Sequence, residues 1–312
     1  MTRRRSRTAF GVAAIALSLV ASGCSGDETP PVSEGFAASS PWNSVIASDD
    51  AVDPNSVAMV ASIQQRPALY ASTVQYGIPI YQAIESTPVH TVTCRRTEWG
   101  PCPLAGRPIP IPQEARPQIG TDGSLVVVDL AQGLSYEFWE AQQVDGMWTT
   151  GFGAIMKLSE SGWDGSGAST GAGASRLGGV VRLSEVEGSV IPHALSLQTS
   201  NACKGSFRAP ATKTNGTSMR PDCIPEGARL QLDPSIDITT LRVSPIERMI
   251  AVAMQKYGGF VVGAGGATLA VSMERDNAAP GDDVGAVYTE AGIRWDFDDL
   301  SGVPWNKLRV VE

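Results

Sequence analysis

The sequence predicts a mainly β fold, a single β-sandwich of jelly-roll type or a barrel, carrying two or three peripheral helices. Three observations lead there. Short segments rich in Val, Phe, Tyr and Trp recur along the chain, turn signals separate them closely, and 33 glycines and 21 prolines in 312 residues punctuate the chain too often for a doubly wound α/β sheet.

In chain order, the first 23 residues read as a signal peptide. Arg3, Arg4, Arg5 and Arg7 form a positive n-region, an apolar run from Phe10 to Val20 follows, and Ala21-Ser22-Gly23 closes it with small residues. Eleven apolar residues are too few for a membrane span, which needs roughly 20. Cys24 stands directly after the small residues, as in the lipobox of bacterial lipoproteins, although Ala21 occupies the place where that pattern prefers Leu. The expectation is therefore an extracytoplasmic protein anchored to the cell membrane through a lipid on Cys24; export by the general or the twin-arginine route is left open. Residues 24–40 are polar and Pro-containing without periodicity, the composition of a flexible tether. Residues 41–312 are expected to form one β-rich domain.

Within that domain, Asp53 before Pro54 and an apolar stripe predict a helix to about Gln64. Leu125–Asp129 and Tyr136–Ala141 flank Ala131-Gln132-Gly133 and predict a hairpin. A short helix is expected through Ser184–Glu187. Ser244-Pro245-Ile246-Glu247 is a capping box, and Ile246, Met249, Ile250, Ala253 and Met254 line one face of a helix ending at Tyr257-Gly258. Phe260–Val262 and Ala267–Val271, separated by Gly263-Ala264-Gly265-Gly266, read as a second hairpin.

Cysteine usage fits the compartment. Cys94, Cys102, Cys203 and Cys223 are even in number, and pairing Cys94 with Cys102 and Cys203 with Cys223 closes two local Gly/Pro-rich loops. Neither spacing suits zinc, so no metal is expected. Loss of the signal removes four arginines, leaving 20 basic against 32 acidic side chains and a formal charge near −12. Such a surface repels phosphate backbones and argues against nucleic acid.

Five segments occur together in this order: Asp53-Pro54-Asn55-Ser56, Tyr136–Ala141, Gly178–Glu185 leading to Ile191-Pro192-His193-Ala194-Leu195, Gly227–Pro234, and Arg294–Leu300. In them the chain resembles a family of secreted, largely actinobacterial proteins over nearly its whole mature length. The resemblance implies export and one continuous domain, and it brings no chemistry with it. Many members carry a second histidine beyond the His-Ala-Leu segment, where this chain has Thr212-Lys213-Thr214-Asn215-Gly216-Thr217.

Candidate chemistry is sparse. An exported site has no ATP or nicotinamide supply, and the glycine-rich 165–179 segment lacks the Gly-Lys-Ser/Thr of a phosphate loop, so no cofactor is expected. That segment reads as a flexible surface loop, or as one closing over an extended substrate. No nucleophile elbow for a serine hydrolase is present. Glu137, between Tyr136 and Phe138, shares a strand face with Trp139, and Asp164 follows Trp163; acids beside indoles fit sugar recognition and carboxylate-driven glycoside cleavage. Ordinary sheet explains the same pattern. His193 is either a proton-transfer group or a core histidine bonded to a carbonyl; His90 reads as an exposed strand position. Arg182 either pairs with Glu185 one turn on or holds a substrate carboxylate. Asp296, Asp298 and Asp299 lack the glycine and terminal glutamate of a calcium loop and read as a solvated turn.

The leading expectation is a surface-anchored enzyme cleaving an extracellular or cell-wall polysaccharide, a glycoside hydrolase with Glu137, Asp164 and His193 catalytic and Trp139, Trp163 and Arg182 holding substrate. The alternatives are a polysaccharide lyase using His193 and Arg182, and a non-catalytic envelope lipoprotein binding glycan or protein. Convergence of Glu137, Asp164 and His193 in one cleft separates the first from the last.

Overall fold

Seventeen strands and four α-helices make up the described part of a computed structural model, which comprises residues 36–63 and 69–312 together with Met1. The expected signal peptide, Cys24 and most of the tether lie outside the described residues. Residues 33–312 form one compact unit, to which everything below refers. The stretch expected as a tether to residue 40 is packed from Phe36 on: Phe36 is buried, and the buried Ser40 donates to the Ser161 carbonyl.

At the centre lies a five-stranded sheet in the order Ser166–Gly167, Phe152–Lys157, Leu134–Trp139, Leu125–Asp129, Ile80–Gln82. The hairpin read from the sequence is its middle: Leu125–Asp129 and Leu134–Trp139 run antiparallel, with Val127 opposite Tyr136 and Leu125 opposite Phe138. Because side chains alternate across a strand, these four residues share a face. They pack there against Val92, Ile109 and Trp148 of a four-stranded sheet, ordered Pro108–Pro110, Val89–Cys94, Met147–Thr150, Gln142–Val144. The opposite face carries Val126, Ala154 and Met156 against Trp42, Trp163, Leu177 and Phe260. This stacking is sandwich-like, and among the described residues no sheet closes into a barrel.

A second layer is a six-stranded mixed sheet in the order Tyr70–Ser72, Ala270–Ser272, Leu195–Thr199, Gly259–Ala264, Arg229–Leu232, Leu308–Val311. The helix Pro245–Lys256 lays its predicted apolar face on it, with Ser244 and Glu247 closing the capping box. The helix Ser56–Ile63 and the short helix Leu183–Glu187 also stand where the sequence placed them. A fourth, Ala286–Ala291, gave no sequence signal beyond glycines at both ends.

One expected hairpin is absent. Gly259–Ala264 and Ala270–Ser272 do not pair; Leu195–Thr199 lies between them, parallel to the first and antiparallel to the second. The glycine-rich turn is therefore a bridge over a third strand, held by Gly265 and Ala267 to Thr199 and Ser200. Leu195–Thr199 is buried at four of five positions, and only a central place in the sheet covers it on both faces.

Both expected disulfides form, Cys94–Cys102 and Cys203–Cys223. No described helix is long and apolar enough to cross a membrane, and the described residues hold no cluster of His, Cys, Asp or Glu fit for a metal ion.

Candidate functional site

The residues singled out in the sequence do not converge. Glu137 is fully enclosed, and its carboxylate accepts from Ser135 Oγ (3.0 Å), Ser169 Oγ (2.6 Å), Ser175 Oγ, Arg176 N (2.6 Å) and Leu177 N (3.5 Å). A carboxylate saturated by internal donors is an anchor rather than a proton donor to substrate. It fixes the glycine-rich segment to the sheet. That segment is accordingly no flexible loop: its own Ala172, Ala174 and Leu177, and Val180 directly after it, are buried in the core. Asp164, by contrast, is exposed and close to Lys157. The pair expected to act together is thus split between interior and surface.

Trp163 fails as a sugar platform because it is core. It stacks on Trp42 at 4.9 Å between centroids, with Phe260 edge-on at 5.5 Å. His193 is fully buried, with Nδ1 2.9 Å from the Ala194 carbonyl and Nε2 3.0 Å from Glu185. The core reading of His193 stands, with a buried carboxylate added. Arg182 directs its guanidinium to Glu274 (2.8 Å), while Glu185 accepts the Arg182 backbone N–H (2.9 Å). Glu185 thus caps the Arg182 backbone amide at the start of the short helix. Tyr288, whose hydroxyl donates to the Glu274 carbonyl, completes this network, and burial holds its phenol far above the ordinary range. Asp296 likewise is no solvated turn: it accepts from Ser72 Oγ and the amides of Thr73, Val74, Gln75 and Phe297, tying Tyr70–Ser72 to the C-terminal segment. His90 is half-buried on Val89–Cys94.

What the structure does present to solvent is an aromatic shelf around Trp139. The Cys94–Cys102 disulfide closes a loop with Trp99 near its tip, and Trp99 is 54% exposed. Its ring lies 5.3 Å from that of Trp139 at a 33° tilt, and Phe152 supports it edge-on at 5.7 Å. Backbone bonds from Arg95 to Thr150 and from Arg96 to Gly151 extend the Val89–Cys94 ladder into the loop and set its direction. Arg96 lies over both indoles, 5.7 Å from Trp99 and 5.5 Å from Trp139. Glu140 clamps both arginines, accepting from Arg96 at 2.9 Å and Arg95 at 3.4 Å, and its hydrogen bond holds the Arg96 guanidinium above its ordinary pKa. Glu140 adopts φ 53°, a left-handed conformation fixed by its N–H to Asp122 and by Ala141 to Gly123. Such strain in a non-glycine residue costs on the order of 1 kcal/mol and concentrates where a side chain must be aimed. Gly151 makes room opposite it, since a Cβ there would lie 2.6 Å from Glu140 Oε2 and 3.0 Å from the Trp139 ring and would displace the carboxylate.

Of the expected site residues, only Trp139 belongs to this shelf. Trp99, Arg95, Arg96 and Glu140 were missed, and the available signal was the tryptophan inside a disulfide-closed loop. No protein-family model, curated protein or solved structure matches this chain.

Proposed function

We propose that the protein is an extracytoplasmic, lipid-anchored glycan-binding protein that holds an extracellular or cell-wall polysaccharide on the Trp99–Trp139 shelf without cleaving it. The observation that carries the reading is the half-exposed Trp99, braced on Trp139 and Phe152 and bordered by the Arg95–Arg96–Glu140 cluster. Indole faces bind the axial C–H faces of pyranose rings, and fixed polar groups at the border bond the equatorial hydroxyls. The disulfide, the cation–π contacts and the ion pairs hold the shelf in one geometry, so little ordering is lost on binding. Each arginine is matched by an acid, Glu140 or Glu98, which favours a neutral polymer over a strongly charged one.

Binding rather than cleavage follows from the acids. Glu137 is sealed and Asp164 is remote from it in environment, so they make no open carboxylate pair. A lyase would need Arg182 to meet a uronate, and Glu274 already holds that guanidinium. The test is retention of the full chain on a panel of immobilised neutral and uronate-containing polysaccharides, with products monitored by mass. Retention on a neutral glycan, abolished by Trp99→Ala and without fragmentation, is the expected result. Release of shortened or unsaturated products overturns it.

A further inference from the structure

Just after the edge strand Tyr70–Ser72 the chain bends through residues 73–76, and there it lines a pocket with residues from three other stretches. Val74, Gln75, Ile119, Asp282 and Asp296 surround a volume of about 410 Å³. Small-molecule sites occupy roughly 300–1,000 Å³. Gln75, Ile119 and Asp282 are exposed, Asp296 is half-buried and Val74 is buried, so the pocket opens to solvent from a fixed floor.

Each of the other stretches is hydrogen-bonded to the 73–76 bend. Asp296 Oδ1 accepts from the amides of Thr73 (2.9 Å) and Val74 (3.1 Å), and its Oδ2 accepts from the Gln75 amide (2.8 Å). The Gly120 amide donates to the Gln75 carbonyl at 2.7 Å, which brings Ile119 alongside. Gly120 permits this approach, because a Cβ there would lie 2.7 Å from the Gln75 carbonyl oxygen and 2.6 Å from the Tyr76 ring. The Arg275 guanidinium links the last stretch, donating to the Val74 carbonyl at 2.7 Å and to the carbonyl of Gly281, beside Asp282, at 2.8 Å. Walls tied in this way lose little further freedom when a ligand enters.

The lining combines two carboxylates with two aliphatic side chains and one amide, and none of its residues is basic. Asp282 makes no hydrogen bond or ion pair among the described residues, and Asp296 Oδ2 accepts a single bond where a carboxylate oxygen takes two. Arg275 spends its guanidinium on carbonyls and pairs with neither acid. A hard metal ion calls for six or more oxygen ligands, whereas Val74 and Ile119, the latter 59% exposed, offer apolar surface. Negative ends beside methyl-lined walls suit an organic cation with an aliphatic body.

We propose that this pocket binds a primary ammonium group carried on a short aliphatic chain, either a free alkylamine or the side chain of a lysine. Asp282 and Asp296 hold the cation, and Val74 and Ile119 cover the methylenes. The site is independent of the glycan reading.

The test is ligand-observed NMR titration of the full chain at low salt with n-pentylamine and N-acetyl-lysine amide, beside their neutral counterparts n-pentanol and N-acetyl-norleucine amide. The amines are expected to bind about tenfold or more tightly than the neutral compounds. Asp282→Asn is expected to weaken both amines about three- to fivefold, the scale of one solvent-exposed charge pair. Ile119→Ser is expected to weaken n-pentylamine and leave methylammonium, which has no chain to cover, unchanged. Both positions are exposed, so these variants keep the fold. Asp164→Asn makes the same charge change at an exposed acid outside the lining and is expected to alter nothing, which separates the pocket from general attraction to an acidic surface. Tighter binding of N-acetyl-lysine amide than of n-pentylamine assigns the ammonium to a protein side chain, and the reverse order assigns it to a free amine. Equal affinity for amines and neutral counterparts, equal loss in Asp164→Asn and Asp282→Asn, wild-type affinity in both pocket variants, or no binding by the unaltered chain overturns the site.

Discussion

Glu137 and Glu226 are both enclosed acids, and their surroundings assign them opposite behaviour. Glu137 meets five donors, so replacing it by Leu removes the acceptor of Ser135, Ser169, Ser175 and the Arg176 amide at once, while the Leu177 amide keeps Ser175 Oγ. A loss of about 3–5 kcal/mol in urea denaturation is expected, with glycan binding reduced only in proportion to the unfolded fraction. Glu226 has its carboxyl raised by burial, so charging it costs the folded state. Its effect is favourable below the ordinary carboxylate range and is lost as pH rises through its raised folded pKa; Glu226→Gln removes that dependence, so its stability relative to wild type is expected to improve in melting scans as pH rises from the acid range towards neutrality. Asp53 has the reverse sign. Burial pushes its carboxyl up, but the Arg208 guanidinium 2.7 Å away and the Asn55 amide outweigh it and hold the pKa down. The stability this pair supplies is complete above the unfolded aspartate range and disappears as pH falls through the lowered folded value. Arg208→Gln is therefore expected to flatten the acid limb of a melting-temperature profile below about pH 4.

At the scale of elements, the shelf depends on one short disulfide loop. Closing a loop of this size in the unfolded chain is worth about 2–3 kcal/mol of stability on chain-entropy grounds. The paired change Cys94→Ser with Cys102→Ser is expected to lower the melting temperature by that equivalent and, because Trp99 loses its brace, to weaken glycan retention more than stability alone explains. Calorimetry and affinity chromatography of the same preparation separate the two. Local sequence signals placed most elements well: the capping box at Ser244, the hairpin through Gln132-Gly133 and both disulfide loops are short-range patterns. What failed is what sequence adjacency cannot report. The Gly263–Gly266 turn looked like a hairpin because the strand that fills the gap, Leu195–Thr199, is about 60 residues away in sequence. The glycine-rich segment looked mobile because its anchor, Glu137, lies on another element.

Across the whole molecule, the same limitation decides the site. Acids beside aromatics in sequence were read as neighbours of a substrate, yet strand alternation turned Glu137 inward under its serines and packed Trp163 into a three-ring core with Trp42 and Phe260. Trp139 reached the surface only because it ends its strand where the Cys94–Cys102 loop folds over. The exposed aromatic shelf thus stands apart from the Arg182–Glu274 and His193–Glu185 pairs, which tie the six-stranded layer to its helices. The measurement closest to the central claim is glycan-panel binding by the full chain beside Trp99→Ala, with folding of both confirmed by melting. Retention of the wild type on a neutral polysaccharide, and its loss in a variant whose stability falls by less than about 1 kcal/mol, is the predicted result. Equal retention of the two proteins, or none by the wild type on any glycan, would contradict the account.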